Sequence, residues 1–345
     1  MSFTFEVLAG GLGNTLQDAG RFGFRHQGMP VSGFLDAPLA HCANALVGNP
    51  ADTTCLEMRL LGPTLQVTSG FARVAIAGDA VASVQRASGV TQALANWHSV
   101  TLREGDTLTV GAIKNGCAYV SFAGGLALTS AMGSESTYVR VGVGGLNGRT
   151  LAAGDRLPGR ARAISPDAHE LRAPEPFCHK GGPIRVMLGP QADHFSPDAR
   201  RALTTSTWTT TPEQDRMGVR LAGVALEHQT RAHADIVSDG IAPGTIQVPG
   251  NGQPIVLLAD CHTVGGYPKI ATVISADLPR LAHMPAGTAF QFEVVSGETA
   301  CMALGEADAA LQAWLGRLQR YAPSGFLDEQ ALYAENLVSG MCRAE

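Results

Sequence analysis

Long hydrophobic runs are missing from this sequence. No segment reaches the roughly 18 consecutive apolar residues that a membrane-crossing helix needs, and Met1 to Glu6 shows no basic region leading into an apolar stretch. No membrane partner and a cytoplasmic location are therefore expected. Charge is scarce as well: Asp, Glu, Lys and Arg make up 16% of the residues, with 25 Lys and Arg against 30 Asp and Glu. Like charges form no run, and the formal net charge is −5, so nothing in the chain attracts a nucleic-acid backbone.

Paired cysteines are also missing. The seven cysteines, at 42, 55, 117, 178, 261, 301 and 342, are odd in number and contain no C-x-x-C. Reduced, mostly buried thiols acting as small hydrophobes are expected, with no disulfide framework and no bound metal. The familiar nucleotide loops are absent too. Ala9 to Thr15 lacks the Gly-Lys-Ser/Thr ending of a P-loop, and neither it nor Gly142 to Gly148 completes G-x-G-x-x-G. There is no G-x-S-x-G elbow and no H-E-x-x-H. His228 and His233 with Asp235 have metal-ligating side chains, but ordinary surface or core roles are the expectation for them.

What the chain does have is turns, with 41 Gly and 19 Pro. Apolar runs of four to seven residues alternate with Gly, Pro, Asn or Asp, as at Val74 to Ala77 before Gly78-Asp79. Similar runs at Tyr119 to Ala123, Ile184 to Leu188, Ile255 to Leu258 and Ala289 to Val295 predict a mainly β fold of closed or nearly closed sheets. Helical spacing is confined to a few places. One is Leu35 to Val47, stopped by Gly48-Asn49-Pro50; another is Ala303 to Leu318, with Leu304, Ala307, Leu311, Trp314, Leu315 and Leu318 on one stripe. The Pro- and Gly-rich stretch from Arg156 to Gly182 suggests two domains, 1–172 and 173–320, followed by a tail, 321–345, with a short helix over Asp328 to Leu337.

Two stretches concentrate polar groups among glycines. In the first, Thr15 to Gly23 continued by Gly28 to Asp36, Gln17, Asp18, Arg21 and Ser32 sit in a loop ahead of a helix. Glycines let backbone N–H groups approach a ligand, and Asp18 and Arg21 suit the orientation of an amide or carboxylate; a pairing that merely holds the loop is the plainer reading. In the second, Ser238 to Pro249 and Gly252 to Lys269, an apolar strand delivers Asp260 into a loop with Thr263, Gly265, Gly266, Tyr267 and Lys269. Polar residues at the end of a buried strand are typical of sites, because the strand fixes the backbone. A turn-forming role for Asp260 is the alternative.

These stretches resemble the KipA-like family, also described as allophanate hydrolase subunit 2 or as biotin-dependent-carboxyltransferase-like. The pattern Q-D-x-G-R, G-x-P-x-S-G-x-x-D and A-N-x-L-V-G-N is met by Gln17 to Arg21, Gly28 to Asp36 and Ala43 to Asn49. It continues through Leu56-Glu57, Gly62 to Thr64, Ala123 to Gly125, Gly133 to Thr137, Asp215 to Leu221 and Ser238 to Ile274. Departures are few: Cys261 and His262 stand where many relatives have Gln or Pro, and Val264 where Thr is frequent.

The resemblance implies two cyclophilin-like β-barrel domains with a few short helices. It is nearest to the C subunits of bacterial ATP-dependent 5-oxoprolinases, which implies hydrolysis of a cyclic amide, 5-oxoproline, to glutamate, in a complex and not by the chain alone. The implied partners are an allophanate hydrolase subunit 1 or KipI-like subunit and a LamB/YcsF-like subunit. ATP would be a co-substrate of the complex, and biotin would enter only on another chain, since no Met-Lys-Met attachment segment occurs. Under this reading Asp260, Asp18, Arg21 and Lys269 are the candidate catalytic residues. Gln17, Ser32, Gln247, Gln253, Thr263, Gly265, Gly266 and Tyr267 are the candidate substrate contacts. The alternatives are a carboxyltransferase component of a urea carboxylase-like biotin enzyme and a non-catalytic regulator that binds a KipI-like kinase inhibitor.

Overall fold

The computed structural model describes residues 3–160 and 169–321. The helix expected over Asp328 to Leu337 and Cys342 lie outside these residues. As the alternating apolar runs predict, the fold is mainly β. In the N-terminal half a six-stranded sheet runs Arg156–Pro158, Thr4–Ala9, Thr64–Ser69, Thr107–Ile113, Ala80–Gln85 and Thr91–Ala93 in spatial order. A five-stranded sheet runs Thr15–Gln17, Cys55–Met58, Ala118–Phe122, Phe71–Ala77 and Ser99–Arg103. Thr4–Ala9 has the period of two that makes this possible: Phe5 and Val7 are buried while Thr4 and Glu6 are half-exposed. Phe5 and Phe122 meet edge to face at 5.5 Å in the core between the sheets.

The C-terminal half is one eight-stranded sheet, in the order Ala289–Phe290, Trp208–Gln214, Gly218–Ala222, Ile255–Leu257, Thr245–Gln247, Lys269–Val273, Ile184–Leu188, Phe292–Val294. Its first and last strands are separated in sequence by Gln291 alone, so the sheet curls until its edges nearly meet. Near-closure leaves few unpaired backbone groups at an edge.

Helix α1 (Ala37–Leu46) lies inside the expected span. Asp36 caps it, its carboxylate accepting from the Leu39 N–H at 3.0 Å. Helix α2 (Pro197–Thr205), not expected from the sequence, is capped by Ser196 and tied to the barrel where Trp208 Nε1 donates to the Leu203 carbonyl at 2.9 Å. Helix α3 (Leu278–Ala282) is a single short turn-like segment. Helix α4 (Gly297–Leu315) starts ahead of the expected position because Ser296 caps it. Its buried edge runs through Ala303, Leu311 and Trp314, and Leu304 of the expected stripe is 51% exposed.

A single apolar core continues between the halves, joining α1, Cys117 and Tyr119 to Ile184, Trp208 and Ile270. Trp314 of α4 packs edge to face on Trp97 at 5.6 Å. Strand Glu170–Arg172 pairs with Gln319–Tyr321, and Glu170 accepts from the Thr101 N–H at 2.6 Å. The cysteines fit this packing. Cys42, Cys55, Cys117 and Cys261 are buried, Cys178 and Cys301 are exposed, and none of the described cysteines is disulfide-bonded. Burial pushes the Cys55 thiol up to about 12 and raises Cys42, Cys117 and Cys261 as well. Brief alkylation of the native chain should therefore modify Cys178 and Cys301 and leave these four intact. Peptide mass mapping checks this, and native labelling of Cys42 or Cys55 would contradict the packing.

Candidate functional site

The first polar stretch is pinned to the turn at residues 131–136. Asp18 Oδ1 accepts from the Gly20 N–H (2.8 Å), Ser134 Oγ (2.6 Å) and Ser136 Oγ (2.5 Å), and Oδ2 accepts from the Glu135 N–H (2.6 Å). Both of its oxygens are thus engaged in holding two loops together. Arg21, completely buried, reaches the same turn through Nε to the Ala131 carbonyl (3.1 Å) and Nη2 to the Ser136 carbonyl (2.8 Å). Burial lowers its pKa against the opposing pull of Asp18 and Asp260, and its Nη1 has no partner. Gln17 donates to Thr15 Oγ1 (2.9 Å) and to the Thr137 carbonyl (3.1 Å), leaving Oε1 unpartnered. Ser32 adopts a left-handed φ of 55° and keeps a buried, unpartnered Oγ, while its N–H crosses to the Ala259 carbonyl of the other half at 3.1 Å.

The turn that seats Arg21 depends on Gly144. Its φ is +73°, and a Cβ there would lie 1.9 Å from the Ser136 carbonyl oxygen and 3.0 Å from Arg21 Nη2. Gly144→Ala should cost about 1–3 kcal/mol through backbone strain and displace the Arg21 anchor. A thermal melt unchanged from the parent would refute that.

Asp260 follows strand Ile255–Leu257 into the loop, as expected. There it meets a residue that the motif spacing alone did not single out. Arg216 holds Asp260 with Nε on Oδ2 (2.8 Å) and Nη2 on Oδ1 (3.1 Å). Its Nη1 pairs with Glu57 and its Nη2 also donates to the Gly33 carbonyl at 2.6 Å. Glu57 in turn accepts from the Leu35 N–H (2.9 Å) and the Tyr119 hydroxyl (2.7 Å). Burial works against the Arg216 charge, but Glu57 and Asp260 outweigh it and hold the group well above its ordinary pKa. The network joins Gly33 and Glu57 of the N-terminal half to Arg216 and Asp260 of the C-terminal half.

None of these four residues lines the cavity of about 520 Å³ that opens between the halves, which is bounded by Arg25, His26, Ile241, Thr263, Val264 and Lys269 among others. Lys269 is buried, pairs with Asp239 and donates to the Gly240 carbonyl at 2.9 Å. Its hydrogen bond holds the Asp239 carboxyl below the usual range. Arg25, which motif spacing passes over, donates from Nη2 to the Ile241 carbonyl, and its Nη1 is buried without a partner. Gln247 is buried with an unpartnered Nε2. A Cβ on Gly265 would stand 2.8 Å from that nitrogen, so the Gln247 side chain would have to shift to admit one. Gln253 turns to the Gly223 carbonyl (3.3 Å), and Tyr267 is 42% exposed; neither lines the cavity. Gly266 does not line it either; its carbonyl accepts from the Ile236 N–H at 2.8 Å. His228 bonds the Val248 carbonyl and His233 bonds Thr230, ordinary roles for both rings.

Gln17 Oε1, Arg21 Nη1, Arg25 Nη1, Ser32 Oγ and Gln247 Nε2 are all buried and unpartnered. Four of the five lie between residues 17 and 32 and the fifth in the second polar stretch. Buried polar atoms are rarely left so without a reason. Of these five residues Arg25 lines the cavity; guanidinium, amide and hydroxyl groups are the kinds that bind a carboxylate or an amide oxygen.

Comparison with known proteins shows the family to which the chain belongs. The 5-oxoprolinase C subunit of Escherichia coli (strain K12) is 37% identical over 301 residues, covering 86% of this chain and 93% of that protein. Its counterpart in Haemophilus influenzae is 34% identical over 296 residues, covering 82% and 88%. Among solved structures, urea amidolyase of K. lactis superposes with a TM-score of 0.80 at 26% identity; the match covers 94% of this chain but only 21% of that longer one. Residues 27–294 match the family described as carboxyltransferase domain, subdomain A and B. From motifs, fold and relatives together, the chain belongs to the carboxyltransferase domain A and B family.

Proposed function

We propose that this chain is the C subunit of an ATP-dependent 5-oxoprolinase and that the cleft between its halves receives the cyclic amide. The observation that carries the reading is the 37% identity to the Escherichia coli protein over 93% of that protein's length. 5-Oxoproline presents one carboxylate and one lactam carbonyl. Arg21 and Arg25 each offer a buried, unused guanidinium nitrogen, and Gln247 offers an amide N–H; these match the two polar ends of such a molecule. Lys269 adds positive charge at the cavity wall. Donors of this kind act most strongly where charge develops on an amide oxygen as the ring opens.

Asp260 and Asp18 serve as orienting carboxylates in this scheme, since hydrogen bonds occupy both oxygens of each. The sequence has no phosphate loop, so ATP is handled with partners, an allophanate hydrolase subunit 1-like chain and a LamB/YcsF-like chain. The test is glutamate release from 5-oxoproline by the assembled subunits. Turnover that requires ATP and every subunit is expected, and none by this chain alone. Efficient turnover by the isolated chain would remove the obligate partners from the scheme, and an inactive, correctly assembled complex would remove the substrate.

The K. lactis similarity favours a second reading, transfer of a carboxyl group from carboxybiotin to a urea-like acceptor in the same cleft. It requires a biotinylated chain, so a streptavidin blot of the co-purified assembly distinguishes the two.

A further inference from the structure

A second cluster lies outside the cleft described above. Asp36 is completely buried and uses Oδ1 to cap α1. Its Oδ2 faces two imidazoles at once, His179 Nε2 at 2.5 Å and His283 Nε2 at 2.6 Å. The three donor atoms all lie within 4.8 Å of one another. They come from three separate segments: the start of α1, the Pro- and Gly-rich stretch before Ile184, and the residue after α3. His179 and His283 are 143 and 247 residues from Asp36, so no local spacing advertises the group. The expectation of no metal rests on cysteine spacing, on the absence of H-E-x-x-H and on ordinary roles for His228, His233 and Asp235, and none of these grounds concerns Asp36, His179 or His283.

A carboxylate oxygen has two lone pairs, so two imidazole N–H groups can meet it as a latch. Two histidine nitrogens and one carboxylate oxygen converging on one point are also the donor set that holds zinc and similar ions while leaving a coordination position open. The surroundings fit. Asp36, His179 and His283 line a cavity of about 710 Å³, which gives an ion a path from solvent. The carboxylate is oriented by the Leu39 N–H, and the Asp36 N–H donates to the Tyr119 hydroxyl at 3.0 Å, a supporting shell of the kind that fixes metal ligands. Cys117 Sγ stands 3.7 Å from His283 Nε2, and a soft sulfur beside two imidazoles disfavours magnesium or calcium.

We propose that Asp36, His179 and His283 bind one divalent transition-metal ion of the zinc class, with the remaining coordination position facing the cavity. The ion would join α1 in the N-terminal half to the segments carrying His179 and His283. It stands apart from the substrate reading above and does not depend on it.

The experiment uses the untagged full-length chain, stripped with chelator. The chain is dialysed against Zn²⁺ for elemental analysis and titrated with Co²⁺ under visible absorption. One equivalent of zinc and ligand-field bands from bound cobalt are expected. His179→Ala, at a partly exposed position, should weaken zinc binding at least about 100-fold with an unchanged circular dichroism spectrum. His228→Ala, which removes a histidine outside the cluster, should leave binding unchanged. Failure of the parent chain to take up either ion overturns the proposal, since that result involves no variant. So does full uptake by a folded His179→Ala chain.

Discussion

Arg216→Met is expected to destabilise the protein by about 3–5 kcal/mol, the range for removing one partner from a buried ion network. The Arg216 side chain is 12% exposed, that of Glu57 1% and that of Asp260 8%. Each carboxylate therefore depends on the guanidinium in place of water. Met fills much of the volume but leaves two negative charges facing each other in a poorly solvated site. It also removes the donor to the Gly33 carbonyl. Arg216→Lys should fall between the two, because an ammonium keeps the charge but cannot reproduce a fork that meets Asp260 through two nitrogens. Urea unfolding of the parent and both variants measures the order. A loss below about 1 kcal/mol for Arg216→Met would mean that the halves are held by their apolar core alone, with the ion network contributing nothing net.

The same residue marks where sequence reading runs out. Arg216 sits in the Asp215 to Leu221 motif, yet its partners Glu57 and Gly33 are 159 and 183 residues away, and no spacing rule connects them. What is local is legible. The apolar run at Ile255 to Leu258 contains the largely buried strand Ile255–Leu257, and Asp260 does follow it into a glycine loop. The nearly closed sheets follow from short alternating runs and frequent turns. Helix α2 escapes because only Ala199 and Leu203 of its nine residues are buried, too narrow a stripe to stand out from polar loop. The cap at Ser296 moves the start of α4, a backbone effect that apolar periodicity does not register. Asp18 does sit in a polar glycine loop, but the hydrogen-bond donors that occupy most of its oxygen positions come from residues 134–136. Only the folded chain shows that its carboxylate is committed while the guanidinium of Arg21 keeps an unused nitrogen.

That unused nitrogen leads to the second large effect: under the proposed 5-oxoprolinase reading, Arg21→Lys in the assembled complex should lower kcat/KM for 5-oxoproline about 100-fold, the scale for losing one positioned donor to a developing oxyanion or substrate carboxylate. The guanidinium has three nitrogens, and two of them are spent on the Ala131 and Ser136 carbonyls. A lysine ammonium reaching the same turn has one centre to share, so satisfying the carbonyls leaves nothing that corresponds to the unused Nη1. A purely structural Arg21 would also lose activity on substitution, through a loosened turn, and Gly144→Ala separates the two cases. That substitution presses on the Ser136 carbonyl oxygen at 1.9 Å and on Arg21 Nη2 at 3.0 Å, and keeps the guanidinium group itself. If Arg21 meets the ligand, Arg21→Lys should lose far more kcat/KM than Gly144→Ala at matched folded fraction, whatever their melting temperatures. Equal losses in the two variants would assign Arg21 to the turn and leave Arg25, with its own buried free nitrogen on the cavity wall, as the cation that meets the ligand.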